Sequence, residues 1–170
     1  MHILDDFELG RTDDIIKIDS REDNQIAVFK MAQQCKRNID ILSRELDPDL
    51  FDTIEFIDAV KSMVLNNRMA KIRVLVAEPK KIVSRGHRLI DLYRSLPTYL
   101  DIRLPSKEHQ DFSEMLFIAD TTGYLHRLHP ERFEATLNFN DKRVAKHLRQ
   151  EFNEMWSKAA QDTNLRQLTI

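Results

Sequence analysis

This sequence predicts an α/β fold on a largely parallel or mixed sheet, and three observations carry the prediction. Segments with helical apolar spacing alternate with segments of strand-like alternation through the first part of the chain. Later, "SEMLFIAD" and "YLHRL" are joined by the turn "TTG", which adds antiparallel hairpin edges. The chain then closes on a long amphipathic stretch with Ala145, Leu148, Phe152, Met155 and Ala159 on one helical face.

In chain order, residues 1–23 are expected to form a mobile or loosely docked arm, in which "DDIIKI" supplies one edge strand. A single domain over 24–170 follows. Its first helix is predicted over Asn24–Arg37, since Val28, Met31, Ala32 and Cys35 share a face. "NIDILS" alternates and reads as a strand, and "ELDPDLFD" reads as a loop in which Pro48 stops any helix. Asp52 and Glu55 have capping-box spacing ahead of a helix over Thr53–Asn66, striped by Ile57, Val60 and Val64. "KIRVLVAEP" is the clearest strand, with Ile72, Val74 and Val76 facing one way and Pro79 ending it. The basic turn "KKIVSRGHR" leads to a helix over His87–Leu96, with Leu89, Leu92, Tyr93 and Leu96 on one side. "YLDIRLP", "SEMLFIAD", "YLHRL" and "FEATLNF" are the remaining strands. The final helix is predicted over Lys142–Gln161, capped by Asn140 or Asp141.

Composition bounds the function. A chain of 170 residues fits one domain, and at this size roughly 70% of the unfolded surface is buried without help from disulfides or a structural metal. With 42% apolar and 32% charged residues it is globular. A net charge of -2 argues against wholesale capture of nucleic acid and leaves room for a local basic patch. The single Cys35 excludes an internal disulfide and a multi-cysteine zinc site. The acidic start "MHILDDFELGRTDD" lacks the pattern of a secretory signal, and no apolar run approaches a membrane span, so a cytoplasmic location is expected. There is no repeat and no low-complexity tract.

The stretch Ser113–Asp141 carries a resemblance. A strand ending in Asp120, with Ser113 and Met115 seven and five places earlier, and "ATLN" downstream, resembles the H-x-K-x-x-x-x-D and G-S-x-N segments of the phospholipase D superfamily. Asp120 and Asn138 keep the motif residue. Ser113 stands at the histidine position, Met115 at the lysine position, Ala135 at the glycine and Thr136 at the serine. "MAQQCKRNIDILS", "FIDAVKSMVLNNRMAKIRVLVAE" and "NDKRVAKHLRQEFNEMWSKA" are similar to that superfamily's helix–strand units and closing helix, so the resemblance covers about residues 24 to 160. It implies one half of such a protein, close to bacterial domains of that type: a central mixed sheet with helices on both faces.

The resemblance also implies a chemistry that is missing. Active members attack phosphorus with the histidine and steady the charged transition state with lysines. Serine without a base is a poor nucleophile and methionine carries no charge. Ser113 and Met115 sit at i and i+2 on one strand face, so one pocket loses both functions. Three readings stand: a catalytically inactive binding or assembly module for a small anion or a protein partner, a phosphodiesterase or nuclease with a displaced histidine such as His87 or His126 working with Asp120, and a structural homodimer with a regulatory role. Single halves of this kind pair, so a homodimer is expected. No cofactor and no metal are expected.

Other residues carry two readings each. Asp120 either orients a ligand or bonds to the turn after it, and Asn138 either faces the old pocket or serves a turn. Lys80, Lys81, Arg85, His87 and Arg88 form the densest positive cluster. They follow a strand's C-terminal end, where Gly86 and the next helix start offer an anion site or merely a solvated loop. His126 and His129 lack the further ligands zinc needs. Cys35 reads as a small buried hydrophobe. Trp156 reads as an anchor in the core or at an interface.

Overall fold

A computed structural model describes residues 2–129 and 131–167. Its sheet has eight strands in the order β1-β7-β6-β5-β2-β3-β4-β8. In chain order these are β1 (Ile16–Ile18), β2 (Asn38–Leu42), β3 (Lys71–Leu75), β4 (Leu100–Leu104), β5 (Met115–Ala119), β6 (Gly123–Arg127), β7 (Ala135–Asn138) and β8 (Ala160–Gln161). β2, β3 and β4 run parallel, and every other pairing is antiparallel. The sheet is therefore mixed, with the parallel part supplied by the helix–strand units and the antiparallel part by the late hairpins.

The helices are α1 (Arg21–Gln34), α2 (Pro48–Phe51), α3 (Ile54–Asn66), α4 (Pro79–Arg85), α5 (Arg88–Ser95), α6 (Lys142–Ser157) and α7 (Thr163–Arg166). One sheet face, carrying Ile39, Ile41, Ile72, Val74, Phe117 and Leu125, is packed under α1, α3 and α5 in the main core. The opposite face carries Leu42, Leu75, Leu116, Ile118 and Tyr124, covered by Ala145, Leu148 and Phe152 of α6. Helices thus lie on both faces, with α6 alone on the second among the described residues.

Several boundaries differ from expectation for local reasons. α1 starts at Arg21 because Ser20 Oγ accepts the Asp23 amide, while Asn24 sits inside the helix, fully buried. Pro48 does not prevent a helix. It takes the first position of α2, where its missing N–H costs nothing. The basic turn is mostly helix, α4, ended by Gly86 at φ 81, a left-handed conformation that only glycine adopts cheaply. α6 stops at Ser157, and Ala160–Gln161 pair with β4 instead of extending it.

The first residues pack on the sheet and α1 and supply the sheet's edge strand. Leu4 is fully buried, β1 pairs with β7 at the sheet edge, and Gln34 bonds the backbone of Phe7 and Leu9. Gly123 makes room for this packing, since a Cβ there would come within 2.5 Å of Leu9 Cδ1.

Candidate functional site

The C-terminal ends of β2 and β3, with the start of β5 and the end of β6, open on a cavity of about 450 Å³. Met115 lies in its wall, 2% exposed, and Ser113 is exposed at the approach to β5. Directly across the ladder from Met115 stands Arg127, which sequence reasoning missed. Arg127 is only 4% exposed, and its Nη2 donates to Asp47 Oδ2 at 2.8 Å. The Phe133 ring lies over the guanidinium, 5.5 Å from Cζ. Arg127 Nε and Nη1 are buried with no hydrogen-bond partner among the described residues. Leaving a buried donor unpaired costs about 1–3 kcal/mol, and more for a charged group. The one hint in the sequence was an arginine ending an apolar strand.

Most other charges in the wall are tied to one another. Arg44 reaches Glu78 at 3.3 Å and donates to the carbonyls of Gln110 and Phe112. Lys81 pairs with Glu45 at 3.2 Å, and Arg85 donates to the Glu45 carbonyl. Glu114 accepts from His126 at 2.6 Å, which holds its carboxyl below the usual range. Among the described lining residues there is no histidine.

Asp120 and Asn138 are at the other edge. Asp120 accepts the backbone amides of Lys36, Arg37 and Asn38 and the Cys35 thiol, tying α1 to β2. Burial and the neighbouring Asp120 push the Cys35 thiol well above its ordinary value. Asp120 and Thr121 both have positive φ, at 53° and 55°. This is unusual for a β-branched residue, and the bonds on Asp120 help to hold it. Asn138 is fully buried, donates to Asp13 and accepts the Asn140 amide. It pairs with Tyr124, not with the mouth end of β6. Thr136 lies opposite His126, on the face away from Met115. The structure therefore separates Asp120, Thr136 and Asn138 from the cavity that Met115 lines.

The basic cluster is not gathered round an open anion site. His87 is 4% exposed. Its Nδ1 accepts the Leu89 amide and its Nε2–H donates to the Leu46 carbonyl, an arrangement only a neutral ring can make. Burial pushes its pKa down. The Arg88 amide donates to Asp52 Oδ1 at 2.9 Å, and the Arg88 guanidinium grips the same carboxylate. The start of α5 has thus already recruited an anion, Asp52, from the α2–α3 turn. Lys80 is exposed.

His126 and His129 line a second hollow of about 460 Å³ with Lys17, Asp19, Glu134 and Thr136. No group of three metal-binding side chains exists among the described residues, and none of their helices is long and apolar enough to cross a membrane. Trp156 is half-buried, stacked on Phe152 and capped by Arg103 at 4.3 Å.

Three solved structures share this architecture. TrmBL2, an archaeal chromatin protein with a novel mode of DNA binding, superposes with a TM-score of 0.64 at 17% identity, over 88% of this chain and 55% of its own. NucT from Helicobacter pylori gives 0.61 at 11% identity, over 88% and 99%. Nuc from Salmonella typhimurium, a phospholipase D family member, gives 0.60 at 12%, over 86% and 96%. This chain thus spans about half of TrmBL2 and corresponds to nearly the whole of NucT and Nuc. No curated protein matches it in sequence. The fold is that of a phospholipase D-like half, as the strand order and spacing implied. Over residues 20–168 the chain matches the model described as domain of unknown function DUF7931, and it belongs to that family.

Proposed function

We propose that the protein is a catalytically silent phospholipase D-like module that binds a ligand or partner at the mouth formed by β2, β3, β5 and β6. The observation that carries this reading is the mouth's own chemistry. Met115 stands at the lysine position, no described lining residue is a histidine, and Arg44 and Lys81 are each held by the chain's own carboxylates. Phosphoryl transfer by a covalent route needs a nucleophile and unspent cations near the phosphoryl oxygens. The expected result is no turnover of bis-p-nitrophenyl phosphate, plasmid DNA or phospholipid vesicles by the purified chain. Turnover that survives purification and vanishes in His126→Ala overturns the reading.

That outcome would install the second reading, a phosphodiesterase with a displaced histidine. It is favoured by one contact, the 2.6 Å bond from His126 to Glu114, with the Thr136 hydroxyl-bearing side chain across the ladder. Of the basic positions, Lys81 and Arg85 line the mouth and stay in the proposal as its outer charge, while Arg88 is held by Asp52 at the start of α5 and Lys80 lies outside the lining. Nucleic acid enters through TrmBL2. A net charge of -2 and the paired cations argue for weak binding, so a salt-sensitive band shift at submicromolar protein would move the ligand class to DNA.

A further inference from the structure

We infer that the mouth takes a small zwitterion, its oxyanion group seated on Arg127 and its cationic nitrogen facing Asp49 and Glu131. This rests on the mouth being a binding site, and it names what binds there. Striking out the internal pairs leaves a definite remainder. Asp47 takes Nη2, so Nε and Nη1, which carry three of a guanidinium's five N–H donors, have no acceptor among the described residues. Among the described residues no ion pair joins Asp49 or Glu131, and both line the same cavity. The buried unspent donors are therefore in the wall, Arg85 at the rim gives one N–H to a carbonyl and pairs with no carboxylate among the described residues, and the unspent carboxylates belong to α2 and to the exposed Glu131.

A simple dianion does not fit this remainder. It would satisfy Arg127 while meeting Asp47, Asp49 and Glu131 with like charge, the arrangement that disfavours a wrong ligand. A simple cation would leave the buried guanidinium unpaired. A molecule with both charges meets both needs, and an arginine fork accepts either a carboxylate or a phosphonate. The ligand must turn aside the Phe133 ring, which lies over the guanidinium and lines the cavity. The Asn24 amide, donating to the Phe133 carbonyl at 2.7 Å, keeps that residue's backbone in place while the ring moves.

The test is calorimetry on the full chain with two zwitterions, γ-aminobutyrate and 2-aminoethylphosphonate, against butyrate, ethylphosphonate and butylammonium. At least one zwitterion is expected to bind about tenfold more tightly than its matched anion and than the amine, and which one identifies the oxyanion. Arg127→Met is expected to remove that binding. The double variant Asp49→Asn, Glu131→Gln leaves Arg127 intact and is expected to reduce the zwitterion to the affinity of its anion. Phe133→Ala is expected to hold or strengthen binding. Equal binding of the anion, no binding of either zwitterion, or full binding by the double variant overturns the inference. Phosphodiester turnover in the same preparation overturns the silent-module reading instead, so the two failures are distinct.

Discussion

His87 shows how one side chain can look like a ligand site and act as a fastener. Its two ring nitrogens close α5 and hold the Leu46 carbonyl, with Leu46 itself at φ 52. The folded state keeps the ring neutral, because burial depresses its pKa below the usual value. The unfolded chain takes up a proton as pH falls through about 6.5, whereas the folded chain does not until lower pH. Stability from this group is therefore present at neutral pH and is lost as pH falls below about 6.5, with a slope of up to about 1.4 kcal/mol per pH unit. His87→Asn is expected to cost about 1–2 kcal/mol at neutral pH. It should also flatten the wild-type decline between pH 7.5 and 5, measured as the difference between two urea-denaturation series. An unchanged slope would mean that His87 already titrates as an exposed ring. Asp120 follows the same lesson: both of its oxygens hold backbone amides between α1 and β2.

At the scale of elements, the join between α6 and the sheet is ionic as well as apolar. Asp40, 2% exposed in the middle of β2, accepts from Arg73 of β3 at 2.8 Å and from Arg149 of α6 at 2.9 Å. Arg73 in turn lies over the Phe152 ring at 4.9 Å. Removing the acid leaves two neighbouring guanidinium groups with no counter-charge, and breaking a buried pair from one side costs about 3–5 kcal/mol. Both arginines are partly exposed, so the expected loss for Asp40→Ala is nearer the lower figure, about 3 kcal/mol by chemical denaturation. A loss below about 1 kcal/mol, the worth of a surface pair, would show that α6 is held by its apolar face alone. The apolar spacing of α6 was plain in the sequence. Its ionic clasp was not, because an aspartate in "NIDIL" reads as the polar half of an alternation until the helix that covers it is known.

At the scale of the whole molecule, we propose that a second copy of the chain packs against the mouth. The twofold interface is expected to bury more than about 1,200 Å² in total. Light scattering at tens of micromolar should return about twice the chain mass of 20.1 kDa. A monomer at that concentration would overturn the homodimer proposal.

Spacing along the chain determined the elements and their layering. Apolar residues at helical or alternating intervals state which face of a segment is buried, and that is a property of a segment and its own backbone. Hence α3, α5, β3, the β5–β6 hairpin and α6 were legible within a few residues, as was the likeness to a phospholipase D-like half. Caps supplied from far along the chain were not legible. Asp52, read as the start of α3, serves α5 instead, while Thr53 caps α3. The candidate site was decided in three dimensions. Arg127 meets Asp47 from 80 positions away, and Asn24 meets Phe133 from 109. A motif reading ranks residues by their type at fixed offsets. Which charges remain unspent depends on what every other segment brings to the same edge, and only the folded chain brings them together.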